Sequence, residues 1–548
     1  MSLLITVAAL VVAIYSASTK DRRLDLLFRI GRLDICVFSL GFVAVIYLQF
    51  YEVFKLNGLT VASTARYPRL HGITPNDAMD LVILGILAWF AVHMPLARLT
   101  RRKIGQFQRL TNELYWTESY TELLSLMERH QKRFFKIYRS DFLLSSLRRY
   151  LVPDPFLGVR IHLTLDANTD LVALKGSLRA ELLKLGKSIL AGSAKVLPKY
   201  EREQIISREI VRTILLSPKT VAAIARTRPY FAINLVQELR ADRTRYDFVD
   251  LYFTALLRDS SSVLYDELEN NQNVGQFRYY LNPSNQLLYF FLSDVQRAHD
   301  TYLWKPVGDY SISLLDHLAR DPGNDTYSLD MGNFSEVEQW HCPLFASIRF
   351  FDIMVREALF QGFSWHMGLI HYIPQIVRRF VRNYRLDDPL IQPESEWPNR
   401  YSYLIYRAFD AMSDWLLAIE KVDPAQNNVV LRSVGTYIEP DNIPKSAILA
   451  MCESLRTVME SETLPENFKS YVADMVFELY FRLRSSSISS SYSKVLKQAL
   501  VYGGSYQRTK DAIYRRALAT AFWRHRNEYS IKNPSEFVDE LAEAMEAD

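Results

Sequence analysis

Leu81-Val82-Ile83-Leu84-Gly85-Ile86-Leu87-Ala88-Trp89-Phe90-Ala91-Val92 runs twelve residues without a charge, inside a longer apolar stretch, Ala78 to Ala97, that closes on His93, Pro95 and Arg98. About twenty apolar residues make a helix as long as the hydrocarbon core of a bilayer is thick, so this stretch predicts a membrane span. Two earlier runs resemble it. Leu33 to Phe54 is apolar apart from Asp34 near its start and Gln49 and Glu52 near its end, and Leu3 to Ala17 carries no charge at all. The spacing predicts three transmembrane helices at about 3–19, 33–54 and 78–97, in a membrane anchor covering residues 1–100. The first is short for a span, and Ser16-Ala17-Ser18 resembles a signal-peptidase site. No Lys or Arg precedes that run, however, so an uncleaved anchor is the expectation.

The flanks predict an orientation, because Lys and Arg next to a span are retained on the cytoplasmic side. Lys20, Arg22, Arg23, Arg29 and Arg32 follow the first run, and Arg98, Arg101, Arg102, Lys103 and Arg109 follow the third. The connection from Lys55 to Asp80 holds only Lys55, Arg66 and Arg69. A multi-pass protein of a plasma or inner membrane is expected, with its N-terminus outside and everything after Arg98 in the cytoplasm. The second basic cluster is expected to fix this topology and to grip lipid headgroups.

Beyond the anchor the chain reads as mainly α. Apolar residues recur at helical spacing in 117–150, expected as juxtamembrane amphipathic helices within 101–150. They recur again at 171–190, 203–216, 230–240, 344–360, 401–419, 447–459, 468–483 and 509–529. Clusters of Pro, Gly, Asn and Asp suggest a helical cytosolic subdomain over 151–385 and a second over 386–548. Strand patterns are confined to 158–165 and 428–437, so at most a small β element is expected. The serine tract from Ser485 to Ser493 reads as an exposed linker.

A chain of 548 residues with a net charge of +4 is close to neutral, which argues against nucleic acid as a partner. Cys36, Cys342 and Cys452 are odd in number and far apart, consistent with reduced thiols rather than a disulfide framework.

No residue pattern identifies a reaction. Gly186-Lys187-Ser188 resembles the end of a phosphate-binding loop, yet Glu181 stands where its first glycine belongs. His341 and Cys342, with His366 and His371, are the chain's concentration of zinc-type ligands and its weak metal candidates; the spacing is wrong for one ion, so none is expected. The same region, with Asp352, Arg356 and Glu357, has the composition of a small-ligand pocket or of a packed core. Asp266, Glu267 and Glu269 beside Asn270, Asn271 and Asn273 could hold a divalent cation, although neighbouring carboxylates are more often a solvated face. Arg378, Arg379 and Arg382 are candidate phosphate or anion contacts. No cofactor is expected.

The reading these features support is a membrane-anchored cytosolic helical module for protein interaction or signalling, with membrane lipids and a protein as partners and homo-oligomerisation open to it. An oligomeric membrane-permeabilising effector or channel is the alternative, with Gln49, Glu52 and His93 as its polar pore residues. A membrane-tethered hydrolase or nucleotide-dependent enzyme built on the His341 to His371 region is the third.

Overall fold

The computed structural model describes residues 32–58, 74–96, 99–139, 201–239, 243–272, 277–363, 367–422, 442–504 and 511–525. Among these every regular element is helical and there is no strand, as the periodicity predicts. The first apolar run, the Gly186-Lys187-Ser188 motif and both strand-like segments lie outside the described residues. The chain divides into two compact units, 1–220 and 221–548.

In the first unit, α1 (Arg32–Gln49) is followed after Phe50 by α2 (Tyr51–Leu56), and α3 (Pro75–Leu96) returns alongside α1. Helix α3 starts where it does because Thr74 and Asp77 cap each other: the Asp77 amide donates to the Thr74 hydroxyl (3.2 Å) and the Thr74 amide to the Asp77 carboxylate (2.9 Å). Pro75 takes the first helical position, which needs no N–H donor. The pair packs through Val45, Met79 and Ile83 and is cross-tied by the Trp89 indole N–H donating to Asp34 (3.1 Å). Early α1 therefore meets late α3, and the two run antiparallel.

Two of the expected spans thus fall on described helices, but among the described residues no helix is long and apolar enough to cross a membrane. The 18 residues of α1 extend about 27 Å, a little under the ~30 Å hydrocarbon core. The 22 residues of α3 are longer, but Asp77 and Asp80 occupy their start.

After a 3-10 turn at Arg101–Lys103 come α4 (Ile104–Trp116) and α5 (Tyr120–Arg139), the amphipathic helices expected there, followed by α6 (Glu201–Ile210), which runs into a π-helical turn, Val211–Leu215. Their apolar stripes close on Phe107, Leu114, Leu124, Phe134, Phe135 and Ile214, all at most 2% exposed. The α4–α5 turn puts Glu118 at φ +54°, a position glycine usually fills, and the Lys219 ammonium holds it at 2.6 Å.

Helix α7 (Pro218–Thr227) leads into the second unit: α8 (Phe231–Glu238), α9 (Arg243–Arg258), α10 (Val263–Asn270), α11 (Gln286–Leu292), α12 (Val295–Asp300), α13 (Trp304–Arg320), α14 (Pro343–Phe360), α15 (Met367–Asn383), α16 (Arg400–Ala418), α17 (Asn442–Met459), α18 (Glu466–Ser485), α19 (Ser490–Val501) and α20 (Ala512–His525). Every residue of α14 from Leu344 to Leu359 is buried, so this helix is the axis of the unit. It packs against α13 and α16, with α10, α11 and α12 on its flanks; α15 and α17 pair beyond α16, and α18, α19 and α20 complete the C-terminal layer.

The serine tract departs from its expected role. It is a tight turn between α18 and α19 rather than a linker: Ser489 is fully buried, and its hydroxyl donates to Glu420 (2.8 Å). Much of the tract is exposed, Ser485, Ser487, Ile488 and Ser491 among it, but the Ser489 and Ser493 hydroxyls bond backbone and carboxylate groups, which lets those two serines be buried.

Candidate functional site

The His341 to His371 region resolves into three environments. Cys342 is the N-cap of α14: its sulfur accepts from the Phe345 amide (3.4 Å), and Pro343 fills the first helical position. Burial pushes this thiol up to about 11, so at neutral pH it is a protonated cap. His341 turns the other way, its Nδ1 3.1 Å from the Ser260 carbonyl and its ring tilted over Tyr265. His371 stands exposed on α15, and His366 lies outside the described residues. Among the described residues no three His, Cys, Asp or Glu side chains group closely enough to hold a metal ion.

The Asp266 cluster is split by its own helix. Successive residues of α10 point about 100° apart, so Asp266 faces solvent while Glu267 is 3% exposed. The Glu267 carboxylate accepts from the Leu287 (3.2 Å) and Leu288 (2.8 Å) amides and from the Tyr230 hydroxyl (3.1 Å). It thus satisfies the orphan donors at the start of α11 from a different element. Burial still outweighs these bonds and raises its carboxyl above the usual range.

Asp352, Arg356 and Glu357 belong to an ionic network around α14. Asp352, 2% exposed, accepts from Arg356 Nε (2.7 Å) and the Trp415 indole N–H (2.9 Å) on one oxygen, and from the Tyr279 hydroxyl and Arg349 (3.4 Å) on the other. Both guanidinium groups also sit over the Tyr279 ring, 5.2 Å for Arg349 and 5.1 Å for Arg356. Arg356 reaches on to Asp414, and Arg278 grips Glu357 with two bonds of 3.2 Å. Burial works to lower the Arg356 pKa, but Asp352, Tyr279 and Asp414 outweigh it and hold the proton more tightly. Burial, then Asp352, pushes Tyr279 upward, so it stays a neutral donor. With both oxygens of Asp352 engaged and no route to solvent on its own account, the network serves as scaffold rather than as acid or base.

The three arginines expected to contact anions carry carboxylate partners. Arg379 meets Asp316 with Nε (2.9 Å) and Nη2 (3.3 Å), Arg382 meets the same carboxylate at 2.8 Å, and Arg378 meets Glu453 at 2.8 Å. Of the residues named for a pore, Glu52 pairs loosely with Lys55 (3.8 Å), both exposed; the side chain of His93 lies outside the described residues.

One cavity open to a ligand is a groove of about 880 Å³ between α15 and α17, closed at one side by the turn at Gly503 and Gly504. Its floor is apolar, with Ile370, Pro374, Leu449 and Ala450, and its rim is polar, with His371 and the Arg378–Glu453 and Arg456–Glu460 pairs. Pro374 has no N–H to offer the Ile370 carbonyl, so helix α15 leaves one acceptor out of its own ladder beside the groove. Gly504 (φ +74°) allows the turn to close: a Cβ there would lie 2.6 Å from the Glu453 amide nitrogen and the Leu449 carbonyl oxygen. No sequence motif marks this groove, because its lining comes from three separated segments; His371 and Arg378 were the residues within reach of sequence reading. The groove thus sets paired charges, Arg378–Glu453 and Arg456–Glu460, over an apolar floor. Compared with family models, curated proteins and solved structures, the chain matches none of them.

Proposed function

We propose that the protein is a membrane-anchored helical interaction module, held in lipid by the α1–α3 hairpin and presenting its second unit to a protein partner in the cytoplasm. The observation that carries this reading is the outer face of the hairpin. While Val45, Met79 and Ile83 pack inward, Leu40 (72% exposed), Val43 (63%), Phe42 (52%), Leu81 (58%) and Leu84 (58%) point outward. An apolar face of that extent is disfavoured in water and favoured in hydrocarbon, at about 25 cal/mol per Å². The modest length of α1 is accommodated by local thinning of the bilayer, at a fraction of a kcal/mol per Å. An antiparallel hairpin returns the chain to the side it came from, so the basic cluster before α1 and the one at Arg101, Arg102, Lys103 and Arg109 lie on one side, the cytoplasmic one by the positive-inside rule. The groove between α15 and α17 supports the second half of the reading, as a ready surface for a partner segment.

The test is flotation with lipid vesicles after an alkaline wash. Wild-type protein is expected to rise with the vesicles, and Phe42→Glu/Leu84→Glu, which alters only outward positions, to remain at the bottom with its helicity intact. A double variant that floats like wild type would remove the lipid from this account.

A further inference from the structure

Tyr302, in the turn between α12 and α13, has φ +51°. The turn is a helix C-cap, with the Tyr302 amide donating to the His299 carbonyl (2.9 Å) and the Leu303 amide to the Ala298 carbonyl (3.1 Å). Its left-handed position normally holds glycine or asparagine, because a Cβ there crowds the backbone. A bulky aromatic side chain held in such a conformation suggests selection for what the ring does. Here the ring is 40% exposed rather than buried.

It forms part of a continuous aromatic ledge. Tyr302 meets Tyr246 edge-on at 4.9 Å and Trp304 at 5.9 Å, and Trp304 meets Tyr372 at 6.0 Å. Gly308 lets α13 and α15 close enough for this: a Cβ there would lie 2.2 Å from the Tyr372 ring. Carboxylates border the rings. Asp250 lies one turn beyond Tyr246 on α9, and the Tyr372 hydroxyl donates to Asp309 at 2.6 Å. Asp247 and Asp300 add negative charge; among the cations on these elements Lys305 is bonded to Asp309, Arg243 is loosely paired with Asp247 at 3.8 Å and Arg297 is paired with Asp294 at 3.3 Å, while Arg245 and Arg258 on α9, His299 on α12 and His317 and Arg320 on α13 complete the set. Asp250 is held above the usual carboxylate range by partial burial, with Lys305 the largest charge acting against the rise and Asp309 and Asp247 adding to it.

Tyr302 is the exposed ring of the ledge, with Tyr246 and Trp304 half-buried beside it and His299 stacked against it at 6.1 Å; an exposed ring beside carboxylates can receive a cation, and a planar guanidinium stacks on rings better than an ammonium does. The chain uses the same pairing internally, with Arg297 4.7 Å from the centre of the Phe290 ring. We propose that the ledge of Tyr246, Tyr302 and Trp304, with Asp250 and Asp309 beside it, is the docking site for an arginine side chain of a protein partner. This rests on the interaction-module reading and specifies the partner's chemistry.

The test titrates the detergent-solubilised full-length chain with an arginine–glycine repeat peptide and, as control, the same peptide with every arginine replaced by glutamine, both followed by calorimetry. The arginine peptide is expected to bind and the glutamine peptide not to. Tyr302→Gly relieves the backbone strain, so its Tm is expected to equal or exceed that of wild type while its affinity falls at least tenfold. Asp250→Asn/Asp309→Asn is expected to weaken binding to a similar degree. Unchanged affinity in a folded Tyr302→Gly variant overturns the proposal. So does an affinity that responds to the aspartates and not to Tyr302 or Trp304→Ala, since that is general attraction to negative charge. A partner recovered from native membranes equally well by wild type and Tyr302→Gly would leave the module reading standing and remove this surface from it.

Discussion

At the scale of single residues, the charge buried around α14 is held by dense pairing, although Arg349 Nε and Arg407 Nε make no hydrogen bond. Asp352 receives four donors, and its nearest counter-charge, Arg356, is one helical turn away on the same buried helix. Removing the carboxylate while leaving Arg349 and Arg356 in place strands two buried guanidinium groups. Asp352→Ala is therefore expected to destabilise the protein by about 3–5 kcal/mol, and Asp352→Asn, which keeps an acceptor for Trp415, by less; urea unfolding measures both. Glu267 makes a pH-dependent contribution. Its folded carboxyl lies above the ordinary value of 4.5, so the folded state holds the proton more tightly than the unfolded chain does. The stabilisation is complete below the unfolded pKa and is lost as pH rises through the raised folded one. Urea midpoints taken upward from pH 4 should fall for wild type relative to Glu267→Gln. The variant should also start about 1–2 kcal/mol lower, because an amide offers one oxygen where three donors converge. A pH profile identical in the two proteins would mean that Glu267 does not titrate in this range.

At the scale of elements, several helices were legible from apolar spacing, whereas α9, α13 and α15 were not picked out by it. The pattern in 117–150 became α5, because a buried face must recur every 3.6 residues whatever it packs against, and those at 344–360 and 401–419 became α14, buried on all sides, and α16. The site was only half legible for the converse reason. Asp352 and Arg356 could be paired from their spacing, but Tyr279, Trp415 and Asp414 join them from 73, 63 and 58 residues away, and no local pattern encodes such a meeting. The serine tract was misread because composition does not reveal that Ser489 has Glu420 as a partner. Glycine spacing likewise gave no warning that the turn after α19 lies against α17. Gly504→Ala combines a positive φ with a backbone clash at 2.6 Å, so the turn must lift off α17. Destabilisation above about 1 kcal/mol is expected, together with a faster-exchanging Glu453 amide in hydrogen exchange. Gly323→Ala, whose added Cβ would meet nothing closer than 4.0 Å, is the control and should leave that amide unchanged.

At the scale of the whole molecule, the orientation proposed for the chain would depend on a few charges next to the hairpin. Arg102 and Arg109 are exposed, and Arg101 and Lys103 half-buried, in the turn and helix that follow α3. Each basic charge near an anionic leaflet contributes about 1 kcal/mol, and the bias between basic clusters, rather than net charge, sets orientation. If the hairpin lies in lipid as proposed, replacing Arg101, Arg102, Lys103 and Arg109 by Glu should leave the protein in the membrane but let a fraction insert inverted. Protease added to sealed right-side-out vesicles would then digest the second unit in part of the population, whereas wild type stays protected until the vesicles are opened. The substitutions lie outside the Val45, Met79 and Ile83 contact, so hairpin packing should survive and the change should be one of orientation alone. Full protection of the variant would mean that the charges after α3 do not orient the chain, and the cluster before α1, from Lys20 to Arg32, would be next to exchange.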